Sequence, residues 1–298
     1  MLASKIAMIR PLNFRANMET AVTNGFQDVR AEVDPGIALI EFDRLVEALQ
    51  SHDVDVSVFE STEIDAPDAI FPNNWFATLP DGDLFTFPML AHNRRLEREP
   101  QILEELIDRG DYNHIDLEYL ENENPPLILE GTGSLVLDHE LRIGFAALSP
   151  RTDLDAIAQF EMESGYQIYT FNAGDKNGAP IYHTNVMLTL GNGFAIVGHE
   201  TVLPSERKDL LQTLIDSGRE VIQLTNDQVY NHFAGNMIQI SNTRNERLLV
   251  MSQRASDSLT TDQRGRLRQY NDEIIVCDVS SIETLGGGSA RCMIAELF

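Results

Sequence analysis

Short apolar runs recur along the chain, each followed by a stretch whose apolar positions lie three or four apart, and then by another short apolar run. Runs of four to eight predict strands, and the 3.6-residue spacing predicts amphipathic helices. One copy opens at Asp68 with AIFPNNWFATLPDGDLFTFPM, a hairpin turned at Pro80-Asp81-Gly82, and continues with a helix over 100–109 and the strand HIDLEYL. The next reads LILEGTGSLVLDHELRIGFAAL as a hairpin turning near Asp138-His139-Glu140, DLDAIAQFEMES as a helix and YQIYTF as a strand. A further copy has VMLTLGNGFAIVGH, a helix in SERKDLLQTLIDSG with Ser205 as its cap and Gly218 at its end, and EVIQL. Another supplies GNMIQISNTRNERLLVMS, TTDQRGRLRQYND and EIIVCDV.

The opening copy lacks a full hairpin. It has IAMIR, a helix over 36–50 and DVDVSVF, and the tail strand CMIAELF fills the gap by pairing with IAMIR. The pattern predicts five ββαβ units of roughly 50 to 60 residues, an α/β-propeller-like ring closed by its two ends. No Pro-, Gly- or Ser-rich linker divides the chain, so residues 1–298 are expected to form one domain.

Composition narrows the partners. With 43% hydrophobic and 23% charged residues the chain can bury a large core. A formal net charge of -25 repels nucleic acid and anionic membranes. No segment approaches the roughly 18 apolar residues of a membrane span. MLASKIAMIRP is too short and too weakly apolar for a signal peptide, so a cytoplasmic location is expected. The oligomeric state stays open, a homo-oligomer included.

Only two cysteines are present, neither with metal-ligand spacing. Cys277 lies inside an apolar run and reads as a buried structural residue. Cys292 follows Gly286-Gly287-Gly288 and sits beside Arg291, whose charge favours a thiolate. The glycine run reads as a flexible loop that delivers this cysteine to the end of the tail strand. A cysteine becomes a candidate nucleophile when a histidine and a carboxylate join it. Glu130 in Leu129-Glu130-Gly131-Thr132-Gly133 and His183 in Tyr182-His183-Thr184-Asn185 stand at matching places of separate units. Asp68 and Asn74 stand at a third. In a ring of repeats, such places converge on the centre.

In these residues, their order and their spread, the chain resembles the guanidino-group-modifying enzymes of the pentein fold, which include arginine deiminases, dimethylarginine dimethylaminohydrolases and amidinotransferases. The likeness extends over nearly the whole length. It implies a catalytic Cys292, His183 and Glu130, with substrate held by Asp68. It further implies arginines for the amino-acid head group, at Arg94 or Arg95 and at Arg151. The chain departs from arginine deiminases at Asn74 and Asn185, where they carry carboxylates. A carboxylate pairs strongly with a guanidinium, whereas an amide offers one donor group and one acceptor and suits a neutral ureido group. The opening MIRPLNFRANMETAVTNGFQ resembles the citrulline utilization hydrolases, a branch that releases ornithine from citrulline.

The resemblance thus implies a hydrolase of carbon–nitrogen bonds other than peptide bonds, taking citrulline to ornithine, carbon dioxide and ammonia through a covalent cysteine intermediate. Backbone N–H groups of the 286–289 loop are candidate donors to an oxyanion. No cofactor and no metal are called for. The rival readings are an arginine or methylarginine deiminase-type hydrolase, an amidinotransferase, and a non-catalytic binding ring like the ribosome-associated penteins.

Overall fold

The computed structural model describes residues 1–175 and 177–298, the Pro35 side chain excepted. Among the described residues, fifteen strands form five three-stranded sheets. Four are built alike: an antiparallel hairpin, a helix, and a third strand running parallel to the second. They comprise Phe76–Thr78, Asp83–Thr86 and Asn113–Asp116; Val136–Asp138, Ile143–Ala147 and Gln167–Phe171; Leu188–Gly191, Phe194–Val197 and Glu220–Gln223; and Ile238–Ser241, Arg247–Ser252 and Glu273–Cys277. The remaining sheet takes Lys5–Arg10 as its centre, with Asp55–Glu60 parallel on one side and Ala295–Leu297 antiparallel on the other. The predicted units and the pairing of the two ends of the chain are therefore observed.

Each unit's helix covers its sheet with an apolar stripe. In Pro35–Ser51, Ala38, Phe42, Leu45 and Leu49 are fully buried at spacings of three and four. Asp34 caps this helix by accepting from Gly36 N at 2.8 Å, and Asp153 caps Leu154–Ser164 at Asp155 N, 2.8 Å. The expected Ser205 cap is not formed. The helix there is Arg207–Asp216, its N-cap is Glu206, and that carboxylate is drawn instead to Asn172 N at 2.6 Å.

Neighbouring sheets are tied by side chains at their first strands. Thr184 Oγ1 donates to Ser134 O at 2.6 Å and accepts from Ala147 N. Thr189 Oγ1 donates to Gly235 O at 2.8 Å, and Thr78 Oγ1 to Glu296 O at 2.9 Å. Ser241 N reaches Ala3 O at 2.9 Å, returning the succession to its start.

Ahead of those first strands the chain makes a tight helical turn: Pro72–Asn74, Gly131–Ser134, Thr184–Val186 and, before the tail strand, Ala290–Met293. The third unit's expected hairpin thus begins later than its apolar run, since Gly131–Ser134 is helical. The glycine run before Cys292 is not a flexible loop. Gly286 closes the helix Ser280–Gly286, and Gly287 caps it in the left-handed region, φ 65°, its N–H donating to Glu283 O at 2.9 Å.

That helix is fastened at its other end by Glu41, whose carboxylate, 4% exposed, accepts from Ser281 N at 3.0 Å and Ile282 N at 3.1 Å. Glu41→Ala strands these buried donors at the start of a helix. We expect it to cost about 2 kcal/mol, measured as a lower urea midpoint at unchanged slope.

Candidate active site

The turns ahead of the strands bring Asn74, His183 and Cys292 to one narrow cleft, which Asp68, Arg94 and Arg151 also face. Cys292 is 2% exposed. Its sulfur lies 3.5 Å from Asn185 Nδ2 and 3.3 Å from Asn236 Nδ2. Among the described residues no hydrogen bond joins the sulfur to His183. The two face the same cavity across a gap.

Behind His183 stands Glu130, fully buried. His183 Nε2 and Glu130 Oε2 are 2.8 Å apart. Burial raises the Glu130 pKa, but Arg151 at 3.4 Å, the His183 hydrogen bond and Arg94 at 3.7 Å outweigh it and hold the carboxyl well below the usual carboxylate range. Its other oxygen accepts from Leu90 N at 3.1 Å. An ionised carboxylate only accepts, so Nε2 carries the proton and Nδ1 is left as the imidazole's acceptor. Burial, with the nearby Arg151 and Arg94 charges, pulls the His183 pKa down to about 4 against the pull of Glu130. His183 is therefore neutral at pH 7. Gly133 makes room for it: a Cβ there would fall 2.7 Å from His183 Nδ1 and 2.4 Å from Asn74 Nδ2.

Arg94 and Arg95 are adjacent on the 3-10 turn His92–Glu97 and point in different directions. Arg94 is buried and makes a two-bond pair with Glu97, 2.7 and 2.8 Å, while donating to Asn74 Oδ1 at 2.8 Å. One cation shared by Glu97, Asp68 and Glu130 stays charged, whereas burial and the neighbouring carboxylates push Glu97 up to about 7 despite Arg94. Arg95 turns away from the cavity to Met89 O and Glu121.

Asp68 accepts from Asn17 Nδ2 at 2.8 Å and Thr20 Oγ1 at 3.1 Å through one oxygen. Its other oxygen, Oδ1, is buried with no hydrogen-bond partner among the described residues. Burial raises this carboxyl's pKa, with Arg94 opposing. Arg151 donates to Thr23 Oγ1 and Thr20 O and lies over the Tyr182 ring, 4.9 Å from its centroid. Tyr182 donates to Gly287 O at 2.5 Å.

Nothing in the repeat pattern singles out Asn17, Thr20, Thr23, Tyr182 or Asn236 by itself. The first three lie in the opening stretch that resembles the citrulline utilization hydrolases. Asn236 was within reach of the repeat logic: it stands just before the strand Ile238–Ser241, the place that Asn74 and Asn185 occupy in their own units. Among the described residues, no group of three or more His, Cys, Asp or Glu converges as metal ligands.

Five three-stranded sheets with a buried cysteine, imidazole and arginines around one cavity define a pentein of the guanidino-group-modifying hydrolase superfamily. Within it, the chain belongs to the family described as N,N dimethylarginine dimethylhydrolase, eukaryotic, whose model matches residues 10–298. No curated protein matches it in sequence. Among solved structures it is similar to the N-terminal domain of ArgZ, a cyanobacterial arginine dihydrolase, captured with substrate: 16% identity over 98% of this chain and 97% of that one, TM-score 0.76. Unliganded AgrE matches at 17% identity and TM-score 0.78, over 99% of this chain but 39% of its own. A dimethylarginine dimethylaminohydrolase adduct with 4-chloro-2-hydroxymethylpyridine matches at 18% identity and TM-score 0.67, over 99% and 100%. Among the described residues no helix is long and apolar enough to cross a membrane.

The low His183 pKa has a consequence for folding. A histidine held at about 4 in the fold but near 6.5 in the unfolded chain adds stability above pH 6.5 that drains away as pH falls toward 4. Glu97, raised to about 7, acts in the opposite sense from pH 7 to about 4.5. A difference measurement separates them. The stability of the wild type relative to His183→Asn should decline steadily from pH 7 to pH 4.5 in urea titrations, and a constant difference would mean that His183 is not held neutral.

Proposed function

We propose that residues 1–298 act as one catalytic unit, a cysteine hydrolase of a neutral ureido amino acid that converts citrulline to ornithine, carbon dioxide and ammonia. The carrying observation is the charge around the cavity. Asp68 is the only carboxylate among its described lining residues, set against the guanidinium groups of Arg94 and Arg151. Glu130 is turned to His183, Leu90 N and the two arginines. Beside the sulfur stand amides, not acids. A guanidinium placed there would face two cations without a pair of carboxylates to bracket it, whereas a ureido group carries no charge to be compensated.

Neutral His183 takes the Cys292 proton as sulfur attacks the ureido carbon, giving a tetrahedral oxyanion. The carbon–nitrogen bond to the side chain then breaks, His183 returns the proton to the departing amine, and ornithine leaves a carbamoyl thioester on Cys292. Water, deprotonated by His183, attacks that carbon and expels the thiolate. The carbamate released falls apart to carbon dioxide and ammonia. Glu130 fixes the imidazole tautomer and balances the transient imidazolium, a role closer to orientation of His183 than to direct contact with substrate nitrogens. The unpartnered Asp68 Oδ1 would take a substrate N–H or the α-ammonium. Of the two candidate arginines on the 3-10 turn, we assign Arg94, which faces the cavity, to the α-carboxylate, alongside Arg151. The 286–289 loop enters less fully as an oxyanion donor, because Gly287 N–H is committed to Glu283.

One observation favours a second reading. The same free Asp68 oxygen would welcome a cationic nitrogen, and ArgZ is an arginine dihydrolase, so arginine with ornithine as the final product is the rival substrate.

The test supplies citrulline, arginine and dimethylarginine separately and assays ornithine, citrulline and dimethylamine. Ornithine from citrulline, lost at least about a thousandfold in Cys292→Ala while citrulline binding persists, is expected. Citrulline accumulating from arginine or dimethylarginine, with no ornithine from added citrulline, would overturn the proposal.

A further inference from the structure

We infer that Asn236 and Asn185 form a neutral two-amide cradle that stabilises Cys292 as a thiolate, with Asn236 the orienting member. Asn236 is wholly buried, and its side-chain orientation is fixed by its neighbours. Arg291 N donates to Oδ1 at 3.1 Å, a bond only the carbonyl end of the amide can accept. Nδ2 therefore faces the other way. One of its hydrogens goes to Asn185 O at 2.9 Å, and the other points to Cys292 Sγ at 3.3 Å.

A fixed donor aimed at sulfur favours the anion over the thiol, because a thiolate accepts strongly and a thiol weakly. Asn185 adds to it. Its Nδ2 stands 3.5 Å from the sulfur and its Oδ1 at 3.7 Å, so the same side chain can accept a hydrogen bond from the thiol or donate one to the thiolate. Asn236 also holds Asn185 in place through the carbonyl of that residue, and it holds the turn Ala290–Met293 through Arg291 N. The cradle spans the fourth unit, the fifth unit and the tail, and sets the sulfur where they meet.

Read beside the neutral Asn236→Ala, the substitution that removes the donor and keeps the brace is Asn236→Asp, which also adds a carboxylate. It keeps an oxygen for Arg291 N–H and the side-chain shape, but exchanges the donor for an acceptor. Asn236→Ala removes both. Iodoacetamide alkylation of Cys292, followed by peptide mass spectrometry across pH in a Cys277→Ala background, reads thiolate directly and needs no substrate. Failure here is therefore separate from failure of the citrulline reading. Both variants should alkylate at least about tenfold more slowly at neutral pH, the size of one hydrogen bond to a charged acceptor, and their pH profiles should move upward. Circular dichroism should show the fold retained. Asn185→Leu should shift the profile in the same direction. If Asn236→Asp, folded, alkylates with the wild-type rate and profile, the residue only braces the turn and the cradle is wrong.

Discussion

The Glu130 carboxylate is the charge around which the centre of this protein is assembled. An ion of that size, fully buried and uncompensated, would cost several kcal/mol even after local relaxation. It is balanced by groups from three separate parts of the chain: the His183 imidazole ahead of the fourth unit's first strand, Arg94 on the 3-10 turn after the second unit's hairpin, and Arg151 at the entry to the third unit's helix. Satisfying the carboxylate thus requires these segments to meet. The same meeting fixes which imidazole nitrogen carries a proton, and it brings two guanidinium groups to the cavity wall. Arg94 carries this outward to Asn74, and Arg151 carries it to Thr20 and Thr23 in the opening stretch.

Much of this was legible in the sequence because the chain repeats. A strand pair, a helix and a parallel strand recur with enough apolar periodicity to fix the units, and Glu130, His183 and Cys292 each stand just ahead of a strand. Charged and sulfur-bearing residues are conspicuous at such places. Asn236 occupies an equivalent place but is small, neutral and flanked by Gly235 and Met237, so nothing in its chemistry announces it. The long segment between the strand Lys5–Arg10 and the helix Pro35–Ser51 has no period to read, and its Asn17 and Thr20 reach Asp68 only through the fold. The choice between Arg94 and Arg95 was beyond reach for another reason. Neighbours on a 3-10 turn diverge by about a third of a revolution, and only tertiary contacts tell which one points inward.

Two expectations failed through competition rather than absence of signal. Ser205 has the chemistry of a cap, but the helix begins later and Glu206 is engaged by Asn172. Three successive glycines suggest freedom, yet Gly286 and Gly287 belong to the end of a helix whose start is held by Glu41. A glycine serves there because the cap needs positive φ, and the resulting turn is ordered. The position of Cys292 is set by a capped helix and a tight turn, which favours a preorganised sulfur over a mobile one.

The two cysteines sit in different surroundings. Cys277, in the strand Glu273–Cys277, has burial as its only influence, and its thiol is pushed up to about 11. Cys292 is at least as deeply enclosed, in a chain whose formal net charge of -25 opposes any new anion, yet two carboxamides reach it. A carboxylate at Asn185 or Asn236 would add repulsion at a few ångströms in a medium of low dielectric, and a lysine there would place an unpaired charge in the interior. An amide avoids both costs while supplying a donor. On the proposed reading, the same neutrality leaves the space above the sulfur without a counter-charge for a guanidinium, so amides that ease formation of a thiolate would also disfavour a cationic headgroup beside it.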